Sequence, residues 1–484
     1  MNSTTKATKK QAEKTSRRKK GTAELTPEAQ AQYQDLLKEV QSGFRAYTWR
    51  ELETQGRFGK NEKLSFITDE MLIVGCDIGS DTHYIRAIDS RGREISKGAY
   101  GFENTADGFR SALDWMANHA AQSQKTQVVL GLEPTGHYWF TLAAWMVANG
   151  ISVVQVNPYA VKQSKEIEDN SQAKDDRKDP KLIANLVKDG NYGMPYLPEG
   201  VYGDIRELTS FRDQLMEDRS RQANRLHREL TVVFPEYKTA FGKIDGAFTL
   251  SILERTGIPC ELAALGEDGI KAIWHEEKLK GAGYRRARFI AETAAKSVGL
   301  TEGLEAHRNA ICYWAGRIRA LTEKIDEVEK QLEEKCHNLP GAERVLEIKG
   351  LGEQITAGIL SEMGDIRRFD DAKEIQKLSG LGLVACSSGK HKGQTKISHR
   401  GRKRLRYWLF QGAMSVVSHN DAFRQLHEYY TTRAVNPLKK MQSLIVIACK
   451  LLRVIFTILT KGVNFDPDRM LRDIVRPVPV ESAA

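Results

Sequence analysis

Cysteine is sparse and scattered: Cys76, Cys260, Cys312, Cys336, Cys386 and Cys449 form no C-x-x-C pair. That spacing argues against a disulfide framework and a zinc ribbon, and fits a reducing, intracellular setting. No apolar stretch follows the Lys- and Arg-rich N-terminus, and the most apolar run, Leu444 to Leu459, is interrupted by Lys450 and Arg453. Neither export nor a membrane span is expected. Large apolar residues are almost missing from residues 1 to 22, which cannot bury enough surface to fold alone and read as a disordered basic arm. What the chain has in excess is positive charge. A net +10 over 484 residues points to a polyanionic partner, nucleic acid before an anionic membrane surface. A chain of this length is expected to divide into two or three domains.

After the arm, Thr26-Pro27-Glu28 has the form of a helix start, and Tyr33, Leu36, Leu37 and Val40 supply an apolar stripe that predicts packing on a neighbour. From Met71 the pattern changes to short apolar runs. Leu72–Cys76, Thr82–Ile88 and a run near Ile95 to Phe102 predict three strands. A helix over Phe109–Ala120, a strand Val128–Leu132, a helix Tyr138–Ala148, a strand Ile151–Val156 and a helix after Pro180 follow. The order βββαβαβα is the ribonuclease-H-like arrangement.

Between about 200 and 335 two long helical segments bracket a region that reads as less regular. In the second, Ile311, Trp314, Ile318, Leu321, Ile325, Val328 and Leu332 alternate steps of three and four, which predicts a coiled coil. In the first, Leu208, Leu215, Leu226, Leu230 and Val233 mark an apolar face, while Arg221, Arg225 and Arg228 line another that suits a nucleic-acid backbone. The final third reads as helical. The expected segments are 1–69 (basic arm and helical extension), 70–198 (α/β catalytic domain), 199–336 (coiled-coil helices), 337–462 (all-helical C-terminal domain) and 463–484 (tail).

The acids carry the chemistry. Asp77 ends a predicted strand in Val74-Gly75-Cys76-Asp77-Ile78-Gly79, and Glu133 ends another in Gly131-Leu132-Glu133-Pro134. Asp176 and Asp179, three apart, open a helix. Converging carboxylates repel unless cations neutralise them, and hard oxygen ligands suit Mg²⁺, with Mn²⁺ able to substitute. Such a set implies a two-metal phosphodiester site. Taken singly, each acid also reads as a turn residue, a surface acid or a helix cap.

Val345-Leu346-Glu347-Ile348-Lys349-Gly350-Leu351-Gly352-Glu353-Gln354-Ile355 has the helix, G-h-G turn, helix form of a helix-hairpin-helix, in which Lys349, Gly350 and Gly352 approach a DNA backbone. A glycine-capped αα-turn is the plainer reading. Further on, Ser387-Ser388-Gly389 precedes a basic run, Lys396, Arg400, Arg402, Lys403, Arg404 and Arg406, suited to neutralising phosphates. The serine reads either as a phosphate-binding hydroxyl or as a nucleophile, and sequence chemistry alone favours the first.

Over about residues 70 to 460 these features together resemble the IS110-type transposases, including the IS1111 branch and related site-specific invertases: Asp77 in a strand, Glu133 in E-P-T-G, the Asp176 and Asp179 pair, the hairpin at Gly350 to Gly352, and S-S-G followed by K-I-S-x-R-G-x-x-x-L-R. The resemblance implies a RuvC-like domain whose four acids, Asp77, Glu133, Asp176 and Asp179, bind divalent metal. It implies a C-terminal domain whose serine becomes transiently linked to DNA, Ser388 being preferred and Ser387 the register alternative. It further implies a structured non-coding guide RNA, encoded by the element, that pairs with donor and target DNA. The chain departs from the family in having Pro180 where alanine is usual, and in its long basic N-terminal extension.

The expected activity is therefore that of an insertion-sequence recombinase acting on double-stranded donor and target DNA, cytoplasmic and nucleoid-associated. Acids and serine lie about 200 residues apart in the chain with a coiled coil between them, so a dimer or tetramer is expected to build the complete site. A RuvC-like nuclease using metal-bound water, with Ser388 only binding phosphate, is the rival from the same class. A non-catalytic helix-hairpin-helix DNA-binding protein is the rival from another.

Overall fold

The computed structural model describes residues 27–44, 60–134, 136–168, 179–281, 283–384, 387–388, 391–392, 396–472 and 474. The basic arm, Asp176 and the side chains of Ser387 and Ser388 lie outside them. Two units divide the chain, Met1–Leu197 and Pro198–Ala484.

The first unit is mixed α/β. It begins with α1 (Pro27–Ser42) and α2 (Lys60–Phe66). Then come β1 (Met71–Asp77), β2 (Thr82–Ile88), β3 (Tyr100–Glu103), α3 (Ala106–Gln122), β4 (Gln127–Leu132) and α4 (Trp139–Ala148). β5 (Ser152–Val156), α5 (Pro158–Glu168), α6 (Asp179–Lys188) and β6 (Tyr192–Gly193) complete it. The strands form one sheet in the order β3-β2-β1-β4-β5-β6. β1 runs parallel to β4 and β4 to β5, while β2, β3 and β6 are antiparallel to their neighbours.

β1 and β4 are buried along nearly their whole length because helices cover both faces. Leu72, Val74, Val128 and Leu130 point to the side of α3 and α4, where Met116, Leu142 and Met146 are buried. Ile73, Val129 and Val154 point the other way, against Val161 of α5 and Ile183 and Val187 of α6. Leu37 of α1 joins the first face, and the Gln41 amide donates to Asp114 of α3 at 2.8 Å. The predicted third strand starts later than Ile95, since Glu94 makes only an isolated bridge to Ile88. The helix α5 has no counterpart in the sequence reading.

The second unit is mostly helical. α7 (Gly200–Val233) is followed by α8 (Tyr237–Phe241), α9 (Ala247–Leu253), α10 (Pro259–Glu276), α11 (Tyr284–Ala295) and α12 (Leu304–Cys336). α7 and α12 pack antiparallel. Lys335 donates to Asp204 at 2.6 Å, Arg212 to Glu329 at 2.7 Å, and His307 meets Glu229 at 2.7 Å. The buried stripe of α12 runs through Ile311, Ala315, Ile318, Leu321, Ile325, Val328 and Leu332. Ala315 takes the inward position expected of Trp314, whose ring lies half-buried under the Arg225 guanidinium at 4.8 Å.

The stretch expected to be less regular is helical and has its own core, in which Phe234, Phe241, Trp274 and Ile290 are buried. Its short helices and the turn at Gly266 (φ 61°) hide the period from a sequence reading.

Beyond it come α13 (Ala342–Leu346), α14 (Glu353–Met363), α15 (Ala372–Leu378), β7 (Leu383–Val384), β8 (Ser387–Ser388), β9 (His391–Lys392), β10 (Lys396–Ile397), α16 (Lys403–His419), α17 (Asp421–Thr432), α18 (Lys440–Lys461) and α19 (Pro467–Leu471). The apolar run of α18 is long enough to cross a bilayer by length and composition. Ile447, Leu451, Leu452, Ile455 and Ile458 are instead buried in the core of this region. The segment read as a tail from residue 463 docks on that core through its first part. Phe465 stacks on Phe423 with centroids 5.6 Å apart, and Met470 is buried.

Candidate active site and nucleic-acid interface

Gly75 of β1 and Gly131 of β4 are partners in the parallel ladder. A Cβ on Gly75 would stand 1.9 Å from the Pro180 carbonyl oxygen, and one on Gly131 would stand 2.3 Å from Val187. Only glycine leaves room for α6 to lie this close to the sheet. The helix therefore starts where β1 and β4 end. Asp77 closes β1, Glu133 follows β4, and Asp179 opens α6 with Pro180 directly behind it.

Asp179 is buried, and its carboxylate is ion-paired with Lys165 of α5. Glu133 is half-buried. Burial holds its carboxyl above the usual range, the Asp77 and Asp179 charges add to that rise, and Lys165 opposes it. Glu133 thus feels the charges of two of the other three acids singled out in the sequence, Asp77 and Asp179. Among the described residues no three ligating side chains converge as closely as they would around an ion. Lys165 is, among the described residues, a cation paired with this group, and sequence reasoning missed it because nothing in Val161-Lys162-Gln163-Ser164-Lys165 marks it.

In the second unit the serines sit on a β finger rather than in a simple loop. β8 pairs with β9, Ser388 opposite His391, and β7 pairs with β10, Val384 opposite Lys396. The base of the finger is pinned. The Ser398 N–H donates to Gly382 O at 2.8 Å, and the Arg402 N–H to Leu378 O at 2.7 Å. Gly380 has φ 71°, and a Cβ on Gly401 would stand 2.3 Å from Leu378 O.

The basic run divides. Lys396, Arg400 and Lys403 are exposed. Arg402 donates to Glu362 O at 2.6 Å and Arg406 to Ser379 O at 2.8 Å, both holding backbone. Arg404 pairs with Asp213 of α7 at 3.5 Å. Burial holds the Asp213 carboxyl above its ordinary range, against the pull of Arg404 and Arg212. Arg221 on α7 pairs with Glu217 and Asp218, and Arg228 is exposed.

At the G-h-G turn, Gly350 has φ 102°, and a Cβ there would stand 3.0 Å from Ser415 O of α16. That glycine serves internal packing. Lys349 and Gly352 are exposed, with open space around Gly352, which precedes the first residue of α14.

A family model described as a transposase matches residues 74–235, and one described as a transposase of the IS116/IS110/IS902 family matches residues 342–428. The chain belongs to the IS110-type transposase family. The first match includes all four acids and ends at α7. The second spans the G-h-G turn, both serines and the basic run, and α8 to α12 lie between the two.

Full-length relatives agree. The chain is 24% identical over 395 residues to a protein of insertion element IS116 from Streptomyces clavuligerus, covering 81% of this chain and 96% of that one. It is 21% identical over 399 residues to a protein of insertion element IS900 from Mycobacterium paratuberculosis, covering 81% and 96%. It is 24% identical over 374 residues to the mini-circle putative transposase for IS117 from Streptomyces coelicolor, covering 73% and 87%. Transposases cut and rejoin DNA, so membership in this family makes the chain a DNA-acting enzyme of an insertion sequence.

Proposed function

We propose that this transposase cuts and rejoins donor and target DNA through a serine-linked intermediate, assisted by a divalent cation at the acid cluster. The observation that carries the reading is the packing of α6 on the glycine pair, which sets the start of the helix, with Asp179, beside the strand ends at Asp77 and Glu133. The strand order, with β1 central and flanked by antiparallel β2 and parallel β4, supports a ribonuclease-H-like, RuvC-type domain. The donor set fits a hard ion, because hard carboxylate oxygens near one another are relieved of their mutual repulsion by a cation. Asp77, Glu133 and Asp179, with Asp176, are the residues that would hold Mg²⁺ or Mn²⁺. When bound, such an ion supplies charge neutralisation at a reacting phosphodiester.

The chain's own groups do the rest. The serine oxygen, Ser388 or its neighbour Ser387, attacks phosphorus and displaces the DNA 3′-hydroxyl, forming a phosphoserine link. A 3′-hydroxyl from the exchanged strand then displaces the serine and restores the phosphodiester. Lys396, Arg400 and Lys403 hold backbone phosphates near the finger, and Lys349 with Gly352 approaches the duplex as a helix-hairpin-helix does. A structured guide RNA and a homo-oligomer that joins acids and serine complete the reading. They are supported by the family resemblance and by the net positive charge.

The test is co-expression with the flanking DNA of its own element, followed by denaturing gels for a protein–DNA adduct in wild type, Ser387→Ala, Ser388→Ala and Asp77→Ala. Loss of the adduct in one serine variant and in Asp77→Ala supports the serine reaction and identifies the residue. Nicked ends without adduct, unaffected by either serine variant, would replace it with hydrolysis by water.

A further inference from the structure

The ion pair between Lys165 and Asp179 has a consequence for how the acid cluster is filled. Asp179 is only 9% exposed, and a buried carboxylate without a counter-charge is strongly disfavoured. Its partner is the ammonium of Lys165, carried on α5 and with a side chain 40% exposed. That positive charge stands where a divalent ion would seek the oxygens of the same carboxylate. The pair joins two helices of one unit, so it is available within a single α/β domain.

We propose that Lys165 is a resident counter-cation that a divalent ion must displace, so that it limits the affinity of the acid cluster for metal. This rests on the reading of Asp77, Glu133 and Asp179 as cation ligands. The chemistry favours exchange. A lysine ammonium is a single charge on a flexible four-carbon stem with solvent beside it, able to leave without disturbing the helix backbone. A divalent ion brings twice the charge and accepts several oxygens at once. In the absence of metal, Lys165 keeps the carboxylates from repelling one another. In its presence, the freed ammonium no longer subtracts from ion binding.

The experiment measures Mn²⁺ binding to the full-length protein by electron paramagnetic resonance of the free ion, at fixed ionic strength, for wild type, Lys165→Met, Lys165→Gln and Asp77→Asn. Thermal unfolding with and without Mn²⁺ is followed in parallel. Removing the competing charge is expected to tighten Mn²⁺ binding about tenfold, the range expected for one nearby, partly solvated charge. It is also expected to lower the melting temperature of the metal-free protein and enlarge the stabilisation by Mn²⁺. Lys165→Gln keeps a hydrogen-bond donor beside Asp179, so it answers the question should Lys165→Met fail to fold. Mn²⁺ binding that is lost in Asp77→Asn yet no tighter in either lysine variant overturns the counter-cation role and leaves the metal reading standing. Mn²⁺ binding that is absent in wild type, or unchanged in Asp77→Asn, removes the metal reading and this inference with it.

Discussion

Gly75 and Gly131 face each other across the parallel β1–β4 ladder, and α6 lies on the groove they leave, its Pro180 carbonyl and Val187 occupying the space of the missing side chains. Each glycine precedes an acid by two residues along its chain, so the packing contact and the acid cluster are one construction. Gly75→Ala is expected to force α6 off the sheet, because the new methyl meets backbone rather than a flexible side chain. Overpacking of this kind costs about 1–3 kcal/mol or more. Urea unfolding measures it, and a variant as stable as wild type would show that α6 does not press on β1.

His83 gives the protein an acid limit. Its ring is fully buried on β2 between Phe102 and Phe109, 5.2 and 6.2 Å away, and neither nitrogen reaches hydrogen-bond geometry. Burial lowers its pKa, with the Asn104 side chain acting in the opposite direction. A histidine held neutral in the fold but free to protonate when unfolded makes stability fall as pH drops below the unfolded value of about 6.5. The fall continues until the lowered folded pKa is reached, with a slope of at most about 1.4 kcal/mol per pH unit from this group. His83→Phe should flatten that part of the stability curve between pH 7 and 5. An unchanged slope would exclude His83 as its source.

The basic run of the second unit is expected to separate by mutation. Arg406→Ala removes donors to Ser379 O and should lower stability by about 1–3 kcal/mol through an unsatisfied buried carbonyl. Lys403→Ala, at an exposed position, should leave stability unchanged. It should weaken binding to unrelated duplexes uniformly and reduce the salt dependence by about one counterion. Filter binding across a salt series with melting curves distinguishes them, and identical behaviour of the two variants would contradict the division.

Much of the first unit was legible from residues alone. Continuous apolar runs predicted β1, β4 and β5 to within a residue or so, because strands covered on both faces admit little else. Helix α5 was not, since Pro158-Tyr159-Ala160-Val161 carries one deeply buried side chain, Val161, too little for a period. The counter-charge Lys165 was invisible for that reason. The basic run was legible as charge, while its split into exposed Lys396, Arg400 and Lys403 and anchored Arg402, Arg404 and Arg406 depends on partners such as Asp213 and Glu362, distant in sequence. The β finger escaped because its strands are two residues each, below any alternation that can be counted.

Asp213 offers a further check. Arg404 spans from the start of α16 to α7, tying the basic run to the long helix pair. Burial and the arginines act in opposite directions on Asp213, so the pair itself is read from a double-mutant cycle of Asp213→Asn with Arg404→Ala, where a coupling energy of about 0.5–1 kcal/mol is expected for partly exposed groups. Full additivity would show that the pair is not energetically coupled.

The antiparallel course of α7 and α12 means that Asp204 and Lys335, 131 positions apart, are hydrogen-bonded neighbours. Everything between them leaves from and returns to one place. The chain can therefore lengthen, shorten or exchange the helices at the far tip of this rod without altering the spacing between its two roots. Evolutionary tinkering at the tip is uncoupled from the geometry at the base, as with a domain inserted into a host whose ends lie close together.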